Sequence, residues 1–177
     1  MIYLIGGAPR LGKSIMAKRL KEEKGIPMVS TDYLFVELQG HPGMQFANVM
    51  HLPTEEIVQQ LLTEARAIET PLRELIEHQI ETNADFILEG VHLLPSLISQ
   101  DSPDVKNVLV VSTDRELVLS GLRLDTREEN WMRGTSEEMQ QAMADFVVGF
   151  SKEIMSQAEK EGIHVLERTE DFEGDVE

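Results

Sequence analysis

The sequence predicts an α/β fold, with helices packed on a sheet of five short strands. Three observations carry that expectation. A glycine-rich pattern, Gly7-Ala8-Pro9-Arg10-Leu11-Gly12-Lys13-Ser14, lies between an apolar run and a helical pattern. Short apolar runs then alternate with helically spaced segments along the chain. With 177 residues, 41% of them hydrophobic, the chain can bury one core, so residues 1–177 read as a single domain.

Ile2-Tyr3-Leu4-Ile5 is β-branched and apolar, as a buried strand requires, and Ile15, Met16, Arg19 and Leu20 keep helical spacing after the loop. The loop itself is a full G-x-x-x-x-G-K-[ST] match. Glycines at its two ends let the backbone turn and aim N–H groups inward, Lys13 reaches β- and γ-phosphates, and the Ser14 hydroxyl can ligate Mg²⁺. A helix opening at Lys13 adds its positive end to the same anion site. The expected nucleotide-binding residues are therefore Gly7, Ala8, Pro9, Arg10, Leu11, Gly12, Lys13, Ser14 and Ile15.

A formal net charge of −16 argues against duplex nucleic acid as a partner, because that affinity comes from Lys and Arg neutralising phosphates. The absence of cysteine excludes disulfides, thiolate metal sites and cysteine nucleophiles. The first residues carry neither a basic leader nor an apolar run long enough for a membrane span, which gives the expectation of a cytoplasmic protein without membrane contact.

Gly25 reads as a helix stop, and Ile26-Pro27-Met28-Val29-Ser30 as a second strand whose proline suits an edge. That strand ends at Thr31-Asp32. Ligands collect beyond the carboxyl ends of strands in such sheets, so Asp32 is expected in the crevice of the phosphate loop; Thr31 or Asp32 could equally cap a helix starting near Tyr33. A loop-like stretch from Gly40 to Asn48 precedes two amphipathic helices. The first carries Ile57, Val58, Leu61, Leu62 and Ala65 on one face, the second Leu72, Leu75, Ile76 and Ile80. Arg66 and Arg73 lie there among Glu64, Glu69 and Glu77, and read as solvated helix faces as readily as acceptor contacts.

Phe86-Ile87-Leu88 is the third strand, and it runs into Glu89-Gly90-Val91-His92. A carboxylate at that strand end can serve Mg²⁺ or orient an acceptor, so Glu89 is an expected metal and substrate residue and His92 a substrate-binding candidate. Val108 to Ser112 makes a fourth strand, Asp114 caps the next helix, and residues 123–135 concentrate Arg123, Arg127 and Arg133 beside the sole tryptophan. Guanidinium groups laid over a polyphosphate, with water excluded, are what a lid supplies. A long helix starts at Thr135 or Ser136 and stops at Gly162, its methionines and phenylalanines reading as core. Ile163 to Leu166 gives a fifth strand, Arg168 and Thr169 follow it, and an acidic end closes the sequence. The long helix leaves room for a homodimer.

IGGAPRLGKS, VSTD and FILEGVHLLP together resemble the P-loop small-molecule kinases, and more narrowly the 2-phosphoglycerate kinase group. The resemblance covers most of the chain in order but is strong only in those three stretches. It implies a three-layer P-loop NTPase fold, with a five-stranded parallel sheet whose phosphate-loop strand is central. It also implies a helical acceptor-binding insertion at about 40–82 and an arginine-bearing lid at about 123–135. ATP with Mg²⁺ would be the donor. A small-molecule acceptor, 2-phosphoglycerate or another hydroxy acid, would take the γ-phosphoryl group. Lys13, Asp32, Arg123 and Arg127 would be the catalytic residues, with Asp32 engaging the acceptor hydroxyl, Asp32, Glu89 and His92 binding substrate, and Ser14 and Glu89 holding the metal. The middle of the chain carries few basic residues for a doubly charged acceptor. The competing reading is a nucleotide-dependent switch that acts on a protein partner.

Overall fold

The computed structural model describes residues 1–98, 102–124 and 132–169. In chain order the elements are β1 (Ile2–Gly7), α1 (Lys13–Lys24), β2 (Met28–Ser30), α2 (Thr31–Gln39), α3 (Phe46–Val49), α4 (Thr54–Ala67), α5 (Glu69–Glu81), β3 (Phe86–Glu89), α6 (Pro95–Ile98), β4 (Val105–Val111), α7 (Arg115–Leu124), α8 (Glu137–Glu161) and β5 (Val165–Glu167). The five strands form one sheet in the order β2-β3-β1-β4-β5, every pair parallel. β1 is central, as expected, and β2 with its preceding proline lies at an edge.

Alternation along β1 separates two cores. Ile2 and Leu4 join a large cluster with α4, α5 and α8, including the fully buried Phe146 and Phe150. Ile5 faces the other way, packing with Ala17 of α1 and Ile87 of β3. Helices therefore cover both faces, which is why β1 and β3 read as near-continuous apolar runs. Each of the large side chains so buried contributes about 1.5–3 kcal/mol. The chain leaves β1 through α1 toward β2 on one side, and leaves β3 through α6 toward β4 on the other. Between these diverging connections a crevice opens at the carboxyl ends of β1 and β3.

The helix ends follow local chemistry. Gly25 and Gly162 close α1 and α8 in the left-handed conformation, and Ser136 and Asp114 cap α8 and α7 through side-chain oxygens. α2 departs from the expected cap. Ser30, rather than Thr31 or Asp32, accepts the Asp32 N–H at 3.3 Å, so the helix starts earlier and both neighbouring side chains are released for other contacts. A short α3 interrupts the expected loop. β4 begins at Val105, three residues before the apolar run, because pairing of Lys106 and Asn107 with β1 needs only their backbones. β5 is shifted toward Glu167. No helix among the described residues is long and apolar enough to cross a membrane.

Candidate active site

The phosphate loop is shaped by three positive φ angles: Gly7 at 111°, Arg10 at 65° and Gly12 at 91°. Gly7 presses on the neighbouring strand, where a Cβ would fall 2.1 Å from the Val110 carbonyl oxygen, and the Ala8 N–H donates to that same oxygen at 2.9 Å. Arg10 takes a conformation that costs a non-glycine residue about 1–2 kcal/mol. Its carbonyl is held from behind, accepting from Nη1 of Arg168 at 3.3 Å. Gly12 offers no side-chain cap to α1, so the helix dipole and its first N–H groups face the loop's concavity.

Lys13 is buried beneath the loop, and its Nζ donates to the Ala8 carbonyl at 2.6 Å. Burial pushes its pKa down to about 8, against the pull of the Glu89 and Asp32 carboxylates. Beside it, Ser14 Oγ donates to Glu89 Oε2 at 3.1 Å, which joins the start of α1 to the end of β3. This pairing brings together the two residues expected at a metal.

The turn after β3 packs against α2. Gly90, with φ 148°, passes so close to α2 that a Cβ would meet Thr31 Oγ1 at 1.9 Å. Thr31 is fully buried and shares a hydrogen bond with His92 Nδ1 at 3.0 Å; Asp32 Oδ1 lies 3.5 Å from the same nitrogen. The Phe35 ring stacks on the imidazole at 5.2 Å between centroids. Dehydration in this setting, with the Lys13 charge nearby, lowers the His92 pKa to about 4, so the ring is neutral at pH 7. The roles in the Thr31 bond follow the tautomer: Nδ1–H donates to Oγ1, or the bare nitrogen accepts from the hydroxyl. The Asp32 carboxyl is shifted above its ordinary range by dehydration, opposed by Lys13. Its side chain is 72% exposed, so this is the dehydration of a cleft mouth walled by protein rather than of a sealed core.

These groups line one cleft of about 590 Å³. Pro9, Arg10, Gly12, Lys13, Ser14 and Ile15 form its loop end, and Asp32, Glu89 and His92 its middle. Ala8 and Leu11 are buried under the loop, and Gly7 backs onto β4, so these three shape the loop without lining the cleft. Arg123 is not brought there; its Nη2 donates to Glu137 Oε1 at 2.7 Å, an exposed pair between α7 and α8. Arg127 and Trp131 fall outside the described residues, as does the acidic end from position 170. Arg73 reaches Glu69 and the Ser96 carbonyl instead of an acceptor, and Arg66 does not line the cleft.

The far wall takes Met44, Phe46, Leu61 and Glu64 from the insertion expected at about 40–82, while Phe35 and Met143 lie outside it. Phe35, Met44, Phe46, Leu61, Glu64 and Met143 come from α2, the segment before α3, α3, α4 and α8. Met143 is core and cleft lining at once. No local pattern marked Glu64 or Met143 as lining the cleft.

No protein-family model matches the chain, and no curated protein sequence does. Solved structures do. Shikimate kinase from Bacteroides thetaiotaomicron superposes with a TM-score of 0.58 at 14% identity, over 99% of this chain and 94% of that one. Shikimate kinase from Acinetobacter baumannii, determined in complex with shikimate, gives 0.52 at 17% identity, over 95% and 82%. Neither match lends support to the narrower 2-phosphoglycerate kinase resemblance. The α/β architecture, with its five-stranded parallel sheet and helices on both faces, is the fold of P-loop small-molecule kinases.

Proposed function

We propose that this protein is a cytoplasmic ATP-dependent kinase that transfers the γ-phosphoryl group to the hydroxyl of a small molecule. One observation carries the reading. A phosphate-binding loop, a Ser14–Glu89 pair and the Asp32 carboxylate line the same cleft of about 590 Å³, which continues past them into a mostly apolar recess. A hydrolytic switch needs no such recess beside its phosphates.

The loop amides and the α1 terminus bind the triphosphate, and Lys13 exchanges the Ala8 carbonyl for phosphate oxygens. Ser14 and Glu89 supply a hydroxyl and a carboxylate 3.1 Å apart, hard oxygen donors that suit Mg²⁺. Among the described residues no three acidic, histidine or cysteine side chains form a closed cage, so phosphates and water would complete the shell. When bound, the ion neutralises phosphate charge. Asp32 accepts the hydroxyl proton as the acceptor oxygen bonds to the γ-phosphorus and the bond to the bridging oxygen breaks, releasing ADP. His92 Nδ1 lies 3.5 Å from that carboxylate, and the raised Asp32 pKa favours a general base.

The test is ADP release with Mg·ATP, first without acceptor, then across hydroxy acids including 2-phosphoglycerate, sugars, nucleosides and amino alcohols. A low basal rate raised at least about tenfold by one class is the expected result. A basal rate that no acceptor raises overturns the proposal in favour of an NTPase acting on a protein.

A further inference from the structure

We infer that the acceptor is an alcohol carrying a protonated amine on an apolar body, and that Glu64 recognises the amine. This rests on the kinase reading above and specifies its substrate.

The charge along the cleft is one-sided. Among the described residues its only cations are Arg10 and Lys13, both part of the phosphate loop and committed to the donor. Beyond Asp32 the walls are mostly apolar, with Phe35, Met44, Phe46, Leu61 and Met143, and beside the polar Gln45 the one ionisable group there is Glu64. Beyond Asp32, a carboxylate or phosphate on the acceptor would meet Glu64 with no cation among the described residues of those walls to offset it. Like charge there disfavours such a ligand.

Glu64 is placed for recognition. It follows Leu61 by three residues on α4, at the border of that helix's buried stripe, and its side chain is half-buried rather than extended into water. Its carboxylate packs over Gly43, where a Cβ would come within 2.8 Å of Oε2 and 3.3 Å of the Phe35 ring. Gly43 thus leaves room for a carboxylate held against an aromatic wall. Among the described residues Glu64 forms no ion pair or hydrogen bond, so its charge is uncompensated by the protein. An ammonium group in the recess would compensate it through a charge-assisted hydrogen bond.

Three compounds that share a benzylic alcohol and differ in the group, and so the charge, on the neighbouring carbon test this: 2-amino-1-phenylethanol, 1-phenylethane-1,2-diol and mandelate. Their binding to the full chain in the presence of Mg·ADP is read by thermal shift and equilibrium dialysis, and their turnover by ADP release with Mg·ATP. The amine should bind about tenfold more tightly than the diol, with mandelate weakest. In Glu64→Gln, a near-isosteric change that keeps the packing, the amine-to-diol ratio should fall to about one. Equal affinity of amine and diol in the wild type, tightest binding by mandelate, a preference that survives in Glu64→Gln, or no binding by any of the three overturns the inference. Glu64-dependent amine binding without ADP release counts instead against phosphoryl transfer, so the two failures are separable.

Discussion

Under the proposed function, the donor end of the cleft takes its contacting groups from one short segment, Pro9 to Ile15 with Leu11 buried beneath it, whereas the acceptor end takes them from α2, the segment around α3, α4, the turn after β3 and α8. The first is a backbone device, set by glycine torsions and a helix terminus. The second is a side-chain device that exists only once the helices have packed. The difference separates what a small-molecule kinase needs in order to hold a triphosphate from what it needs in order to choose an acceptor. Substitutions at the donor end should abolish chemistry with any acceptor; those at the far wall should reorder acceptors.

Lys13→Ala breaks the donor end and should have the largest effect. Removing the one buried ammonium beneath the loop should lower the rate of ADP release by roughly a thousandfold, with far-UV circular dichroism unchanged. A folded variant that keeps full turnover refutes the assignment. Asp32→Asn strikes at the junction of the two ends. Loss of a general base should reduce kcat by about a hundredfold or more while ATP affinity stays within about twofold, since the carboxylate binds no part of the donor. A rise in KM for ATP with kcat preserved would place Asp32 on the donor instead.

The same contrast governs what could be read without coordinates. Donor-end chemistry is local, so composition at fixed spacing revealed the loop, the strand before it and the helix after it. Glu89, His92 and Asp32 were legible because they sit at the ends of strands whose apolar runs are plain. Glu64 was not, since on α4 it differs from Glu55 or Glu56 only in lying beside Leu61 across from Gly43, a relation that the fold alone creates. The cap at Ser30 escaped notice because Thr31 and Asp32 have equal claims by residue type, and the buried Thr31–His92 contact that decides between them is separated by 61 positions. Lys106 and Asn107 hid the start of β4 because strand pairing does not require apolar side chains.

Acid should act on the acceptor end in a recognisable window. His92 has a folded pKa near 4, below the ordinary 6.5, so between these values the unfolded chain binds more protons than the folded one. Its contribution is complete above pH 6.5 and is lost as pH falls toward 4, on the order of 3 kcal/mol across the window. Asp32, shifted upward, acts in the opposite sense at the acid end, so the informative quantity is the difference between variants. Urea unfolding at pH 7 and pH 5 should show a smaller loss in His92→Gln than in the wild type. An equal loss would mean that the imidazole charges freely in the folded state.

The smallest expected effect concerns the region that the sequence marked as a lid. Arg123 lies at the end of α7, and its guanidinium is half-exposed and joined to Glu137, outside the cleft. An exposed pair of this kind contributes about 0–1 kcal/mol, and nothing connects it to the transferred group. Arg123→Ala should therefore leave kcat and both KM values within about twofold and lower stability only slightly. Arg127 falls outside the described residues, and the lid assignment, a proposal drawn from composition, rests on it alone of the two. Arg127→Ala should reduce kcat by about tenfold or more if that arginine neutralises charge on the transferred phosphoryl. The pair is informative because the substitutions are chemically identical and four residues apart. A large loss in Arg123→Ala with none in Arg127→Ala would require α7 to swing its end over the loop during turnover, and the exposed ion pair with Glu137 would then be the latch that holds it away.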